Sequence, residues 1–338
     1  MRSGWSLSGT SGILKYVSSE HLARKIDFQG PVPSTKEVYR RALNIAWPSA
    51  AETVLVSLVG SVDTIMVGGL GPAAIAAVGL TNQPKFILLA LINSLNVGVT
   101  TVVARRRGQE NREGAQKCVR VALMITFTLS LILAILGFVF AEPIMSISGA
   151  AADTMQDSID YFRILMIGFV PMCIGLTVNA AQRGVGNTRI AMTTNLTSNG
   201  INLIFNYLLI HGNLGFPRLE VKGAALATIL GSTVACLMSI RSILPHDTYL
   251  HIRLRDKWRL DKETLGSIWK ISYSAVIEQL FMRIGFFTYV RIVAGLGTIA
   301  FATHQICMNV INLSFSFGDG FSIAIASLVG QSLGAKRP

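Results

Sequence analysis

Apolar residues recur along this chain in long blocks that are separated by short polar stretches. A helix that crosses the hydrocarbon core of a bilayer needs about 20 consecutive, mostly apolar residues, and each block is at least that long. The pattern therefore predicts eight membrane-spanning helices. Their approximate limits are 42–67, 73–104, 112–140, 156–182, 187–210, 223–245, 264–291 and 298–333.

Three of the polar stretches have the composition of turns. Residues 68–72 read Gly-Gly-Leu-Gly-Pro, residues 184–187 read Gly-Val-Gly-Asn, and residues 212–217 hold two Gly and one Pro. Gly and Pro interrupt helical patterns, so each stretch marks the end of one helix and the start of the next.

The composition excludes a soluble globular class. Hydrophobic residues make up 51% of the chain, charged residues 14%, and the mean hydropathy is +0.51. Soluble domains contain about 25% charged residues. The cysteines, at 118, 173, 236 and 307, fall in four different blocks and are expected to be reduced core thiols. We interpret the chain as an all-α polytopic membrane protein.

The net charge of +12 is concentrated in alternate connections. The connections after the second, fourth and sixth helices hold Arg105, Arg106, Arg107, Arg112 and Lys117; Arg183 and Arg189; and Arg253, Arg255, Lys257, Arg259 and Lys262. Residues 68–72 and 141–160 contain no Lys or Arg. Because positive loops stay in the cytoplasm, both ends of the chain are predicted to be cytoplasmic. This placement argues for the bilayer, and not a nucleic acid, as the partner.

The sequence repeats itself at an offset of 226 residues. The offset places Gly69-Leu70-Gly71 on Gly295-Leu296-Gly297, Gly108 on Gly334 and Glu52 on Glu278. Six helices separate the two copies, so the halves are predicted to be parallel repeats, an arrangement common in secondary transporters. The second copy stops after two helices, and a complete duplication requires about twelve helices in all. We therefore expect this chain to be cut short.

Glu52 is the first candidate for chemistry. It lies four residues beyond Pro48 in the first helix. A carboxylate at mid-membrane costs about 2.5–3.5 kcal/mol, so it needs a partner, water or a function. Pro48 removes a backbone hydrogen bond and kinks the helix, and the freed carbonyl together with the carboxylate can bind a cation. The alternative is a protonated Glu52 that is bonded to a neighbouring helix.

A stripe of asparagines follows the fifth helix. Asn195, Asn199, Asn202 and Asn206 are spaced four, three and four residues apart and therefore lie on one helical face. Four amides facing lipid are prohibitive in free energy, which predicts that the stripe faces protein or water. A cavity-lining face and a packing face both remain open.

The second copy adds polar groups at membrane depth. Glu278 and Gln279 lie in the seventh helix, and His304 and Asp319 lie in the eighth. Arg283 and Lys85 are possible counter-ions for Glu278, which makes a structural ion pair the alternative. His304 is able to titrate near neutral pH, and a hydrogen-bonded structural histidine is the alternative.

The chain contains no nucleotide-binding loop, dinucleotide fingerprint, metal-ligand cluster or nucleophile elbow. We therefore expect neither an enzyme nor a cofactor, and any transport has to draw on an ion gradient.

Several motifs resemble the multidrug and toxic compound extrusion (MATE) transporters. They are Trp47-Pro48, the run Val62-Asp63-Thr64-Ile65-Met66-Val67-Gly68, the run Gly184-Val185-Gly186-Asn187-Thr188-Arg189, and Val329-Gly330-Gln331-Ser332-Leu333-Gly334-Ala335. The resemblance spans about residues 36–338. It implies a complete six-helix lobe at 36–246, a cytoplasmic linker at 247–263 and a partial second lobe at 264–338. Residues 1–35 are polar, with Gly, Ser and Pro throughout, and their composition predicts a mostly disordered cytoplasmic leader.

The resemblance also implies a function. Members are two-lobed exporters that exchange organic, often cationic, compounds for Na⁺ or H⁺. This chain is accordingly expected to be a monomer in the plasma membrane, specifically a bacterial inner membrane. The DinF-like branch has a coupling acid at the position of Asp63. By position alone, an exposed residue at the end of the first helix is the alternative for Asp63. That branch has Asn and Asp at the positions of Asn202 and Asn206, whereas the NorM-like branch has acids near Glu52 and Glu278. Cation coupling is therefore expected at Glu52, Asp63, Asn202, Asn206 and Glu278, and substrate contact at Asn195, Asn199, Gln279, His304 and Asp319.

Three rivals remain. A lipid-linked saccharide flippase of the same superfold has a strongly basic cavity, whereas the candidate residues here are acidic or neutral. A prenyl-diphosphate transferase needs paired Asp-rich motifs to hold magnesium, and the sequence has none. A fragment without transport activity is the third.

Overall fold

A computed structural model describes residues 35–148, 150, 154–252, 261–294 and 298–335. Within these ranges the chain forms ten α-helices and a short 3₁₀ turn at Asn213–Gly215. The helices are α1 (Thr35–Gly68), α2 (Pro72–Gly108), α3 (Arg112–Val139), α4 (Ala141–Ile147), α5 (Met155–Ile167), α6 (Phe169–Gly184), α7 (Thr188–His211), α8 (Glu220–Ile243), α9 (Lys262–Ala294) and α10 (Thr298–Gly334). We call α1–α8 the first lobe and α9–α10 the second half.

Each predicted apolar block coincides with one helix or with a pair of helices, and two blocks differ in detail. α1 begins at Thr35, seven residues before the predicted first span. The fourth block is broken at Gly168 into α5 and α6, which meet at a bend of 50°. The predicted leader before Thr35 lies outside the described residues.

Local sequence signals account for several helix ends. Asn111 begins α3, because its side-chain oxygen accepts a hydrogen bond from the amide of Gly114 at 2.8 Å. Asp261 begins α9 in the same way, accepting from the amide of Thr264 at 3.0 Å. Gly212 ends α7 with a φ of 73°, a left-handed conformation that glycine adopts without steric cost.

Several of the described helices have the length and composition of membrane spans. Among the described residues, Ala42–Gly68, Ala77–Gly108, Arg112–Val139 and Glu220–Ile243 are long and apolar enough to cross a bilayer, and the bent pair α5–α6 is a possible fifth span. The outer face of α3 exposes Ile132, Ile135 and Val139, as expected for a surface that contacts lipid. The prediction of an all-helical membrane protein is confirmed. The number of crossings, eight, and the cytoplasmic N-terminus stay predictions.

The interior consists of two main apolar clusters stacked along the helix axes. One lies among α1–α8 and contains Phe162, Met145 and Phe169. The other lies nearer the arginine-rich ends of α2 and α3, and it includes Val119 and, from α9, Ile268. The second cluster is therefore shared between the first lobe and the second half.

Small residues bring the two parts of the chain close together. α9 packs on α2 and α10 packs on both α1 and α2. At Gly98 of α2, an added Cβ atom would lie 2.9 Å from the carbonyl oxygen of Ile268 in α9. At Gly320 of α10, an added Cβ atom would overlap the Cα atom of Ala50 in α1. Glycine at such positions lets membrane helices approach backbone to backbone.

Arginines hold the connection between the first lobe and the second half. Arg112 donates to the carbonyl oxygens of His246, Thr248 and Tyr249 at 3.1, 2.7 and 3.2 Å. Arg106 donates to the hydroxyl of Thr264 at 2.9 Å. We call this end of the bundle, where α2 finishes with Arg105, Arg106 and Arg107, the basic end.

Candidate functional site

Glu52 lies one turn beyond Pro48 on α1, and its residue surface is 2% exposed. Its Oε1 atom accepts hydrogen bonds from Arg183 of α6 and from Asn195 of α7. The carboxylate is thus paired with a guanidinium ion, whose attraction compensates part of the free energy lost on removing the charge from water. The sequence predicts Arg183 only as a loop charge, whereas the structure places it in the last turn of α6. Its place directly before the Gly-Val-Gly turn was the available signal that it sits at a helix end beside α1.

The turn after Arg183 connects three elements. Gly186 in this turn has a φ of 87°, which requires glycine. The carbonyl oxygen of Gly184 accepts from Gln331 of α10 at 3.1 Å, and the hydroxyl of Thr188 donates to the carbonyl of Ile45 in α1 at 3.2 Å. The turn therefore contacts the first helix and the second half at once.

The basic end also contains a reciprocal contact between the repeats. A Cβ atom added at Gly108 of α2 would overlap the carbonyl oxygen of Gln331, and one added at Gly334 of α10 would overlap the carbonyl oxygen of Arg105. The 226-residue offset places Gly108 on Gly334 and Arg105 on Gln331. The contact is therefore symmetric, and it closes the basic end between α2 and α10.

The asparagine stripe of α7 divides between two environments. Asn195 donates to Glu52. Asn206, which is buried, donates to Asn202 at 3.3 Å, and Asn202 donates to Thr228 of α8 at 3.2 Å. Asn199 and Asn202 line a cavity. The stripe therefore faces protein and cavity, and it contributes both to helix packing and to a cavity wall.

This cavity has a volume of about 440 Å³ and lies within the first lobe. Among its lining residues, hydrogen-bonding groups come from α2, α5, α7 and α8; they are Asn82, Lys85, Tyr161, Ser198, Asn199, Asn202, Thr228 and Ser232. Apolar atoms from α1 and α2, including Val67 and Phe86, complete the wall. Such a mixture of apolar walls and a few convergent polar groups is typical of small-molecule sites.

The candidates of the second half lie apart from this cavity. Glu278 on α9 is exposed, Gln279 is half-buried, and Asp319 on α10 is exposed. The guanidinium of Arg283 lies 5.3 Å from the ring centre of Phe86, and the Lys85 ammonium lies 5.4 Å from the same ring. Phe86 therefore brings a cation from each half of the chain to one aromatic ring.

Two further candidates have described backbones only. Asp63 lies near the end of α1 and His304 lies in α10, but their side chains are outside the described part of the structure. Their expected roles stay predictions.

Comparisons with known proteins place this architecture in a family. The MatE family model matches residues 48–208 and 274–338, which is more than half of the chain. A probable multidrug resistance protein NorM of Thermotoga maritima is 28% identical over 306 residues, which cover 89% of this chain and 64% of the relative. The uncharacterised transporter YisQ of Bacillus subtilis is 24% identical over 87% of this chain and 64% of its own length. The chain thus spans less than two thirds of these relatives.

Solved structures of related transporters have the same fold. One is an outward-facing multidrug resistance MATE family transporter, with a TM-score of 0.80 and 28% identity over 88% of this chain and 65% of the other. Another, a transporter of the MOP superfamily from Pyrococcus furiosus with the same score, identity and coverage, is described as having a binding pocket of reverse polarity that suggests a different function. This chain belongs to the MATE family of transporters.

Proposed function

We propose that this chain takes part in the export of small organic compounds in exchange for Na⁺ or H⁺, by alternating access between two lobes. The observation that supports the proposal most strongly is the cavity of about 440 Å³ inside a bundle of membrane-spanning helices. Its hydrogen-bonding groups suit a compound that is part polar and part apolar. Membership of a transporter family and the outward-facing neighbour support the same function.

The proposal includes a direction. The basic end faces the cytoplasm because Lys and Arg are retained there. Since α2 and α10 meet at Gly108 and Gly334, that end is closed. The compound would then leave the first-lobe cavity toward the outside.

The coupling ion would act through the acids and amides of α1, α7 and α9. Glu52, Asp63, Asn202, Asn206 and Glu278 are the proposed groups, and hard cations bind carboxylate and amide oxygens. Because Arg183 forms an ion pair with Glu52, a cation that binds Glu52 has to compete with the guanidinium. A cationic substrate would face the same competition.

A second candidate, the transfer of a lipid-linked saccharide by the same superfold, is favoured by one observation. The described cavity wall includes the cation Lys85 among amides and hydroxyls. Such a wall suits sugars and phosphates as well as neutral drugs.

Transport in vesicles tests the proposal. The purified chain is placed in liposomes, and efflux of an organic cation, an organic anion and a lipid-linked saccharide is followed under imposed Na⁺ or H⁺ gradients. Gradient-driven movement of an organic ion that Asn202→Leu abolishes and Ile204→Ala on the exposed face leaves intact would support it. Movement of the saccharide alone would favour the flippase. If none of the three compounds moved, the result would contradict transport by this chain.

A further inference from the structure

Two adjacent residues connect the buried acid of α1 to the second half of the chain. Arg183 pairs with Glu52, and the next residue, Gly184, offers its carbonyl oxygen to α10. Gln331 donates to that oxygen at 3.1 Å, and it also donates to the hydroxyl of Ser327 at 3.1 Å. The side chains of Glu52, Ser327 and Gln331 are all buried, so water competes little for their hydrogen bonds.

The contact from α10 lies at the closed basic end. Gln331 is one turn from Gly334, and its own carbonyl oxygen faces Gly108 of α2. The residue that binds the Arg183–Gly184 segment is therefore the same residue that forms the closure between the repeats. The Arg183–Gly184 segment and the closure therefore share one residue of α10.

Of the two described residues that donate to the Glu52 carboxylate, Arg183 is the charged one. From α6 the group that faces Glu52 is the Arg183 guanidinium, and from α7 it is the neutral amide of Asn195. From α10, Gly320 packs against Ala50, two residues before Glu52, and the preceding residue Asp319 is exposed. The Oε2 atom of Glu52 is buried and has no hydrogen-bond partner among the described residues. One oxygen thus holds the arginine while the other stays available.

We propose that Arg183 is a positioning residue that couples the charge on Glu52 to the closure between α2 and α10. While Glu52 is ionised, it holds Arg183, and the Gly184 carbonyl stays in reach of Gln331 and Ser327. When a cation neutralises Glu52, the guanidinium is released, the turn loses its anchor, and the basic end opens. The proposal rests on the proposed function, because it supplies the step between ion binding and opening.

Cross-linking at the basic end tests the proposal without measuring transport. Gln109→Cys and Ala335→Cys are introduced into a chain whose native cysteines are replaced, since an added Cβ at Gly108 would lie 2.9 Å from the amide nitrogen of Ala335. The rate of cross-linking in liposomes reports how much of the protein is closed at this end. Glu52→Gln keeps the size of the side chain and one acceptor oxygen but removes the charge.

Glu52→Gln and Arg183→Gln are each expected to slow cross-linking about fivefold or more, the usual size of a coupling between two sites. Arg183→Lys is expected to restore part of the rate. Arg189→Gln, which removes an exposed arginine from the same connection, is the matched control and should leave the rate unchanged. Equal rates in Glu52→Gln and the parent would overturn the proposal even if Arg183→Gln fails to fold, and so would an equal loss in Arg189→Gln.

This result is separate from the proposed function. A chain that transports but cross-links equally in all variants would refute the coupling and leave export intact. A chain that shows the expected cross-linking pattern but moves no compound would support the coupling and contradict export.

Discussion

At the scale of single residues, the central pair is Glu52 and Arg183, whose side chains are 3% and 19% exposed. Replacing one partner of a buried pair leaves an uncompensated charge and costs about 3–5 kcal/mol, whereas replacing both with neutral groups is often close to neutral. The presence of the pair is therefore weak evidence that it stabilises the fold. A conformation that depends on the charge of Glu52 is the alternative that the cross-linking variants test. In the proposed coupling a cation replaces the arginine, so that Glu52 would keep a compensating positive charge throughout the exchange.

Asp261, at the start of α9, allows a test at the residue scale through pH. The hydrogen bond from the Thr264 hydroxyl at 2.6 Å and the Lys117 ammonium at 3.0 Å lower the pKa of Asp261 to about 2. Because the folded pKa lies below the ordinary value of about 3.9, the carboxylate stabilises the fold above that pH. This contribution is lost as the pH falls from about 4 toward 2.

We therefore predict that Asp261→Ala lowers the melting temperature at pH 7 and that the difference from the parent shrinks toward pH 3. Thermal unfolding in detergent across this range measures it. Asp247→Ala, an exposed acid in the same connection, serves as the control. A difference that is constant with pH would contradict the assignment of the ionised cap.

At the scale of helices, the contact between α2 and α10 repeats the internal symmetry of the sequence. Gly108 and Gly334 are related by the 226-residue offset, and each touches the backbone of the other copy. Neither position leaves room for a side chain. The repeat therefore does more than duplicate a fold, because it supplies two matching surfaces that meet at the basic end.

Gly108→Ala and Gly334→Ala are each predicted to weaken this contact by about 1–3 kcal/mol, the usual cost of overpacking. Both variants should cross-link more slowly at the basic end, and the double variant should add little once the helices have parted. Gly266→Ala on α9 is the control, since a Cβ there meets no described atom within 4 Å. Unchanged cross-linking in both single variants would show that the closure is looser than the structure indicates.

The apolar blocks predicted the long helices well, because a helix that crosses a bilayer needs about 20 mostly apolar residues. The sequence predicted that the α7 asparagines avoid lipid, since their spacing alone determines a common face. It missed the partner of Glu52, because contact with Arg183 depends on the packing of α6 beside α1, and no local pattern records that packing. The break of the fourth block at Gly168 was also missed, since both halves of the block are apolar.

At the scale of the whole molecule, two features lie at different depths of one bundle. The first-lobe cavity is lined by Asn199 and Asn202, and the closure at the basic end contains Gly108 and Gly334. Glu52 lies on the same helix as the cavity residue Val59 and next to the turn that contacts the closure. α1 and α7 therefore connect the site where a compound would bind to the site that would open.

The most direct test of this account is the accessibility of the cavity. Ser198→Cys, in the cavity wall, and Thr126→Cys, buried and bonded to Thr177 at 2.9 Å, are made in a chain without other cysteines. A membrane-impermeant maleimide is added to the outer face of vesicles, with and without an organic cation. The account predicts that Ser198→Cys is labelled, that the organic cation slows its labelling, and that Thr126→Cys stays unlabelled. Labelling of Ser198→Cys only from the opposite face, or no labelling at all, would contradict a wet, outward-facing compound site in the first lobe.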